Sequence, residues 1–281
     1  MDSDGDRVEE LSHAGLRHEA LVGGPSGGEP VVLLHGFPQD ATAWRALAPL
    51  LHDAGLRILA PHQRGYGPGS APTSVSAYRL DSLVGDVLAW LDAQGWARAH
   101  VVGHDWGGAV AWALGAWHPG RVITLTVLST PHPAALRWAV RHGDQARRSW
   151  YVAGFQVPRV PELVMARALR RGELRRTGLP ADDAVRYAAR LGSAARLRGP
   201  VNWYRAAARG GSRSVGTVAV PTAYLWGARD PFLGRAAAER TAHHVVGDYR
   251  FTELGAGHWL PETRAREVAA TILGRVGTPG H

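Results

Sequence analysis

The sequence predicts an α/β protein: a mostly parallel sheet covered by helices on both faces, with a helical cap inserted late in the chain. Three observations lead there. From residue 16 to residue 128 short apolar runs alternate with helical segments, the pattern of strands joined by crossover helices. At Ala134 the alternation stops, gives way to helical periodicity broken by Pro158, Pro161, Pro180 and Pro200, and resumes at Val218. The residues richest in chemistry fall just past the carboxyl ends of the apolar runs, where open α/β sheets place their ligands. The expected organisation is a core of residues 1–133 and 216–281 with a cap of residues 134–215.

Element by element, residues 1–10 read as a loose tail and 16–22 as a first strand, closed by Gly23-Gly24-Pro25-Ser26-Gly27-Gly28. Val31-Val32-Leu33-Leu34 is a buried-strand run ending in His35-Gly36-Phe37-Pro38. A helix is expected over 42–54, a strand over 57–60, and then the loop His62-Gln63-Arg64-Gly65-Tyr66-Gly67. Residues 78–94 carry helical periodicity. The apolar run at Val101-Val102 meets a glycine-flanked turn and leaves as a small-residue helix, and residues 122–128 form a fresh strand. The insertion carries Trp138, Trp150, Tyr151, Phe155, Trp203 and Tyr204, aromatic enough to roof an apolar pocket. Beyond it come a strand over 218–226 ending at Asp230-Pro231, a helix over 235–244, a strand over 249–254, the loop Gly255-Ala256-Gly257-His258-Trp259-Leu260-Pro261-Glu262, and a closing helix.

Composition narrows the function classes. With 281 residues and 45% hydrophobic content there is room for one large core and one inserted piece, hence one catalytic unit. The formal charge is +8, and every one of the 32 basic residues is arginine. Most sit at helical spacing among acids and alanines, as Arg186 and Arg190 or Arg264 and Arg266 do, which reads as solvated helix faces and not as a nucleic-acid stripe. The basic concentration over 137–176 falls inside the cap and reads the same way. Without cysteine there is no disulfide, no thiolate metal site and no thiol nucleophile, and the expected setting is the cytoplasm. The acidic start has no apolar stretch behind it, so no signal peptide is expected, and no segment has the apolar length of a membrane span. Neither a metal-spaced cluster nor a cofactor motif is present; His243 and His244 read as helix surface.

In Gly103-His104-Asp105-Trp106-Gly107-Gly108 a strand turns sharply into a helix, and the flanking glycines let the turn push the Asp105 side chain out over the sheet edge. A dinucleotide fingerprint would need glycine where Asp105 stands, and a phosphate-cradling loop would need lysine where Ala109 stands. The bland alternative is a tight turn whose aspartate caps the helix. Asp230 and His258 follow at later strand ends, giving the chain order nucleophile, acid, histidine. Singly each has an ordinary explanation, a turn-starting aspartate or one histidine among 14; together, in this order and at these ends, they read as a catalytic set. An aspartate nucleophile restricts the substrate. Serine attacking a saturated carbon would leave an ether, whereas a carboxylate leaves an ester that activated water can hydrolyse. Alkylating electrophiles, epoxides or alkyl halides, are therefore expected. The backbone N–H groups of Phe37 and Trp106 are expected to stabilise the oxyanion formed during hydrolysis.

On these residues the sequence resembles an epoxide hydrolase of the α/β-hydrolase superfamily. The resemblance runs over 33–261 and is carried by His35-Gly36-Phe37-Pro38, Gly103-His104-Asp105-Trp106-Gly107-Gly108 and Gly257-His258. It implies that two cap tyrosines polarise the epoxide oxygen. Tyr151, four residues before Phe155-Gln156-Val157-Pro158, and Tyr204, within Asn202-Trp203-Tyr204-Arg205, match the local patterns; the alternative for both is aromatic packing. Tyr187 has no matching motif and reads as packing, His35 and Pro38 as shapers of the oxyanion loop. His62 departs from the resemblance, which more often has an acidic residue there. The implied partners are a small apolar epoxide and water, with no cofactor. A haloalkane dehalogenase resembles the same core and also often has tryptophan after its aspartate, to hold the halide. The leaving groups separate the two, since an alkoxide needs a proton, which a phenol of pKa about 10 supplies, while halide does not. A dehalogenase of fluorinated acids usually has arginine where Trp106 stands, and a non-catalytic ligand receptor would more readily have lost one of the three residues.

Overall fold

A computed structural model of the chain describes residues 7–277. Eight strands form one sheet in the order β1-β2-β4-β3-β5-β6-β7-β8. They are β1 Arg7–His13, β2 Leu16–Gly23, β3 Glu29–Leu34, β4 Leu56–Pro61, β5 Ala99–His104, β6 Val122–Leu128, β7 Thr222–Gly227 and β8 Tyr249–Leu254. From β4 to β8 all neighbours are parallel, and β1 and β2 add an antiparallel edge. The helices of the core are α1 Ala48–Asp53, α2 Leu80–Ala93 and α3 Trp106–Trp117. Between β6 and β7 come α4 Pro133–His142, α5 Gln145–Arg148, α6 Trp150–Gly154, α7 Val160–Arg170, α8 Ala181–Leu191 and α9 Ala194–Arg209; α10 Arg235–Arg240, α11 Leu260–Thr263 and α12 Ala265–Val276 follow.

Alternation along the central strands explains why those runs are continuously apolar. Val31 and Leu33 of β3 point into the layer under α1 and α12, with Leu51, Val268 and Ile272, whereas Val32 and Leu34 point into the layer under α2 and α3, with Val87, Trp90 and Trp112. Each fully buried side chain of this size contributes about 1.5–3 kcal/mol through its apolar surface.

The structure departs from the expected elements in four places. Residues 7–10 are not a tail but part of β1, paired with β2 through a two-residue turn at Ala14 and Gly15 with φ of 49° and 75°. Only Leu11 of that strand is buried, so it shows no apolar alternation. The helix expected over 42–54 is a short 3-10 turn, Ala41–Trp44, followed by α1; Pro49 enters in the first turn of α1, where its missing N–H is harmless. The strand expected over 218–226 starts only at Thr222, because Pro221 has no N–H for the ladder. Pro200, expected to break a helix, lies inside α9. There Gly199 rests against the Gly65 backbone, and Trp203 Nε1 donates to the Arg64 carbonyl at 2.8 Å, so tertiary contacts hold the helix across the missing hydrogen bond.

Several arginines are not solvated. Arg64 grips Asp86 through Nε and Nη2 at 2.7 and 2.6 Å, and Arg205 joins α9 to Glu162 of α7 at 2.7 Å. Arg275 is 2% exposed and bonds Asp248 and the Thr222 carbonyl. Removing one partner of such a pair leaves a bare buried charge, at about 3–5 kcal/mol. Among the described residues no helix is long and apolar enough to cross a membrane.

The elbow after β5 is the tightest point of the fold. A Cβ on Gly107 would lie 2.1 Å from the Leu34 carbonyl oxygen, an approach no side chain tolerates. Gly107→Ala is therefore expected to lower the unfolding free energy by more than about 2 kcal/mol. Gly274→Ala in α12, where a Cβ meets nothing within 4 Å, is expected to raise it by roughly 0.5–1 kcal/mol. Urea denaturation of the two variants checks this, and a Gly107→Ala protein as stable as the parent would contradict it.

Candidate active site

Asp105 occupies the turn between β5 and α3 with φ 50° and ψ −119°, a conformation that a residue with a side chain adopts only when its surroundings impose it. Three close approaches impose it here: a Cβ on Gly103 would sit 2.4 Å from the Gly107 oxygen, one on Gly107 would strike β3, and one on Gly36 would sit 2.3 Å from Asp105 Cβ. Thr130 Oγ1 donates to the Asp105 carbonyl at 2.7 Å and pins the turn from β6. The carboxylate faces the loop after β3, where Phe37 N–H donates to Oδ1 at 2.7 Å; the Trp106 backbone N–H is near enough to help pull the pKa of this carboxyl down. Both expected oxyanion donors thus converge on Asp105, at the positive end of α3.

His258 lies beyond β8 and Asp230 beyond β7. His258 Nδ1 donates to Asp230 Oδ2 at 2.8 Å, and Nε2 stands 3.7 Å from Asp105 Oδ2, beyond hydrogen-bond length. The other Asp230 oxygen accepts from Phe232 N–H and Leu233 N–H at 2.8 and 3.0 Å. Ser129 Oγ donates to the His258 carbonyl at 2.7 Å, and His104 Nε2 donates to the same carbonyl at 2.9 Å. The Asp230 side chain is fully buried, while that of Asp105 keeps 19% of its surface open. The structure therefore brings Asp105, His258 and Asp230 into one row.

Burial pushes the Asp105 carboxyl up from its ordinary value, against the opposing pull of His258 and the Phe37 and Trp106 N–H groups. For His258 burial works against the imidazolium, but Asp230 first, then Asp105 and Glu262, outweigh it and hold the pKa above its ordinary value. Burial drives His104 far below its ordinary value, so this neighbour adds no charge.

A cavity of about 500 Å³ opens onto Asp105 and His258 and is lined by Phe37, Phe155, Phe232, Trp259 and both expected tyrosines. Tyr151 comes from α6 and Tyr204 from α9, with ring centroids 6.3 Å apart. Tyr204 is edge-on to Phe37 at 5.3 Å and to Trp106 at 4.9 Å. Burial and the facing Asp105 charge push both phenols well above their ordinary value, so both stay protonated and able to donate. Among the described residues no group of three or more His, Asp or Glu side chains is placed to hold a metal.

With this geometry in place, comparison with known proteins is direct. The profile of the alpha/beta hydrolase fold family matches residues 29–265. Epoxide hydrolase A of Mycobacterium tuberculosis is 34% identical over 92% of this chain and 94% of its own length. The chain belongs to the epoxide hydrolases of the α/β-hydrolase superfamily. The AB hydrolase superfamily protein YfhM of Bacillus subtilis is 32% identical over 96% of this chain and 98% of its own. The crystal structure of Epoxide Hydrolase A from Mycobacterium thermoresistibile superposes with a TM-score of 0.80 at 29% identity, covering 96% of this chain and 98% of that one.

Some residues of this epoxide hydrolase family member differ from their sequence reading. His244 is not plain surface: it stacks on His132 at 4.7 Å. Tyr187 is fully buried, and its hydroxyl donates to Glu262 Oε1 at 2.7 Å, so its packing role includes a polar bond. Gln39 donates to the same oxygen at 2.7 Å while its own Oε1 accepts from Gly36 N–H at 2.7 Å, tying the Glu262 carboxyl to the loop that carries Phe37. Burial raises that carboxyl to about 7. Neither Gln39 nor Glu262 stood out in the sequence, because their importance lies in partners from distant elements.

Because the Asp105 carboxylate is one of the charges that raise the His258 pKa, Asp105→Asn is expected to lower it. Imidazole nitrogen chemical shifts followed by NMR across a pH titration read this directly. An unchanged or higher His258 pKa would contradict the electrostatic pairing of the two side chains.

Proposed function

We propose that this enzyme opens epoxides to vicinal diols through a covalent ester on Asp105. The observation that carries this reading is the pair of protonated phenols, Tyr151 and Tyr204, in the same cavity as a carboxylate whose Oδ2 is not saturated by hydrogen bonds. Asp105 Oδ2 attacks a ring carbon and the carbon–oxygen bond breaks. A tyrosine O–H gives its proton to the departing alkoxide, and the tyrosinate recovers a proton, relayed by water, when hydrolysis of the ester regenerates Asp105 as an acid that ionises.

Ester formation removes the Asp105 charge, which lowers the pKa of the facing His258 and turns it into a base at the moment water must be activated. His258, oriented by Asp230, takes a proton from water, and the hydroxide adds to Asp105 Cγ. The N–H groups of Phe37 and Trp106, already directed at this carboxyl, hold the resulting oxyanion. Collapse of the tetrahedral intermediate frees the diol oxygen, which takes the proton from His258. Residues 134–215 act as the cap that supplies the phenols and roofs the cavity over the core of residues 1–133 and 216–281. The substrate is a small apolar epoxide, no cofactor takes part, and the cysteine-free chain fits a cytoplasmic setting.

The haloalkane dehalogenase alternative would use the Trp106 indole to hold halide. Here the Trp106 side chain packs between Tyr204 and Trp203 at 4.9 and 5.7 Å, so its indole is engaged by the phenol that the epoxide reading requires.

Either tyrosine-to-phenylalanine change, Tyr151→Phe or Tyr204→Phe, is expected to slow ester formation on the order of 10²-fold, by removing a donor aimed at charge that develops in the transition state. The double variant is expected to be nearly inert toward an aryl epoxide, and any bromide release from a bromoalkane should change little. Single-turnover assays of diol and bromide side by side decide the matter. A double variant that opens epoxides at the parental rate would move the dehalogenase reading to the front.

A further inference from the structure

The loop of residues 230–234 is held from two directions. Toward the site it folds onto its own aspartate, with Phe232 and Leu233 N–H groups on Oδ1 and His258 on Oδ2. Three more of its backbone groups, the Asp230 and Phe232 carbonyls and the Gly234 N–H, are taken by α5, which belongs to the inserted helices, while Trp226 Nε1 of the core holds the Leu233 carbonyl. Gln145, wholly buried, donates through Nε2 to the Phe232 carbonyl at 2.8 Å and to Ser149 Oγ at 2.9 Å, and its Oε1 accepts from Gly234 N–H at 2.9 Å. Arg148 Nη1 donates to the Asp230 carbonyl at 2.9 Å, with its Nε on Asp144 Oδ2 at 2.6 Å. Gly234 is pressed so closely that a Cβ there would lie 2.8 Å from Asp144 Oδ1.

A buried glutamine is unfavourable unless its amide is satisfied, and here one amide satisfies both a carbonyl and an N–H of the loop that carries Asp230. The same stretch of chain then reaches the cavity. Tyr151 packs edge-on against Phe232 at 6.0 Å, and Phe232 packs edge-on against His258 at 5.0 Å. Residues 144–151 therefore both hold the loop that carries Asp230 and bring Tyr151 to the cavity.

We infer that Gln145 and Arg148 are positioning residues through which the seated cap clasps the loop 230–234 and fixes Asp230 on His258, so that hydrolysis of the ester depends on the cap being closed. The inference rests on the Asp105-ester reading. It separates the two half-reactions, because Asp105 attack and phenol donation do not pass through Asp230, whereas water activation does. A cap that lifts with an ester in place would stop hydrolysis without undoing alkylation.

The test compares the parent, Gln145→Ala, Arg148→Met and, as reference, Asp230→Asn, each shown folded by thermal unfolding. Ester formation and decay are followed by intact mass in single turnovers of an aryl epoxide. In Gln145→Ala, ester formation is expected to stay within about twofold of the parent while ester decay slows on the order of 10-fold, as loss of this set of hydrogen bonds predicts. Arg148→Met, which keeps the aliphatic stem, is expected to slow decay by about threefold and serves if Gln145→Ala does not fold.

The pH profile of decay adds a readout that loosened packing alone would not move. The charged and titratable groups facing His258 are Asp230, Asp105, Glu262 and His104, and Asp230 acts most strongly against burial. Loosening Asp230 is thus expected to shift the ascending limb of decay to lower pH while reducing its plateau. Parental decay with a parental pH profile in both clasp variants, or equal slowing of both steps, would overturn the clasp. If Asp230→Asn accumulates ester and the clasp variants do not, the clasp alone fails; if Asp230→Asn accumulates none, the ester reading fails with it.

Discussion

Everything at the site hangs on one steric constraint, the left-handed turn at Asp105 wedged between the end of β3 and the start of α3. Glycine at 36, 103 and 107 lets three stretches of backbone come within contact distance of one another, and any side chain at these positions would drive them apart. The strained φ follows from that crowding, and the direction of the Asp105 side chain follows from the φ. The same closeness delivers Phe37 N–H to the carboxylate, so the proposed nucleophile and its proposed oxyanion donor are set by a single packing event. Pre-organisation of this kind leaves little to rearrange when charge develops.

Around that fixed point the molecule divides its chemistry between two structural sources. The sheet supplies the charged row, with Asp105, Asp230 and His258 each just past a parallel strand and their spacing set by strand register. The helices between β6 and β7 supply two phenols whose pKa values are raised by burial and by the facing charges, so they stay protonated. In the proposed reaction, carboxylate attack and proton delivery would approach the substrate from different walls of one cavity. Buried ion pairs such as Arg205 with Glu162 brace the helix that carries Tyr204, which gives part of the arginine excess a structural use.

The core was legible in the sequence because each central strand is buried on both faces and so writes itself as an apolar run; β6 coincides with its expected bounds. The bounds of β8 also coincide, although that edge strand is largely exposed. The edge strand β1 was not legible, since its single buried residue, Leu11, leaves no period to read. Pro200 misled for a related reason: a local rule predicts a break, and a contact with Gly65 over a hundred residues away in sequence overrides it. At the site, Asp105, Asp230 and His258, the residues proposed to act through their own atoms, announced themselves through motif and strand-end position. Gln39, Gln145, Arg148 and Glu262 act through partners on other elements, and such pairing has no signature along the chain.

In the proposed reaction Asp105 becomes covalently bonded to the substrate and is itself the site of hydrolysis. One turnover of excess enzyme with an aryl epoxide in oxygen-18 water, followed by mass spectrometry of the Asp105 peptide and of the diol, tests it most directly. Water attacking the carboxyl carbon leaves the label in Asp105, and the first diol carries away an unlabelled carboxylate oxygen. Label in the first diol with none in Asp105 would mean direct attack of water on the epoxide, and the covalent account would be wrong.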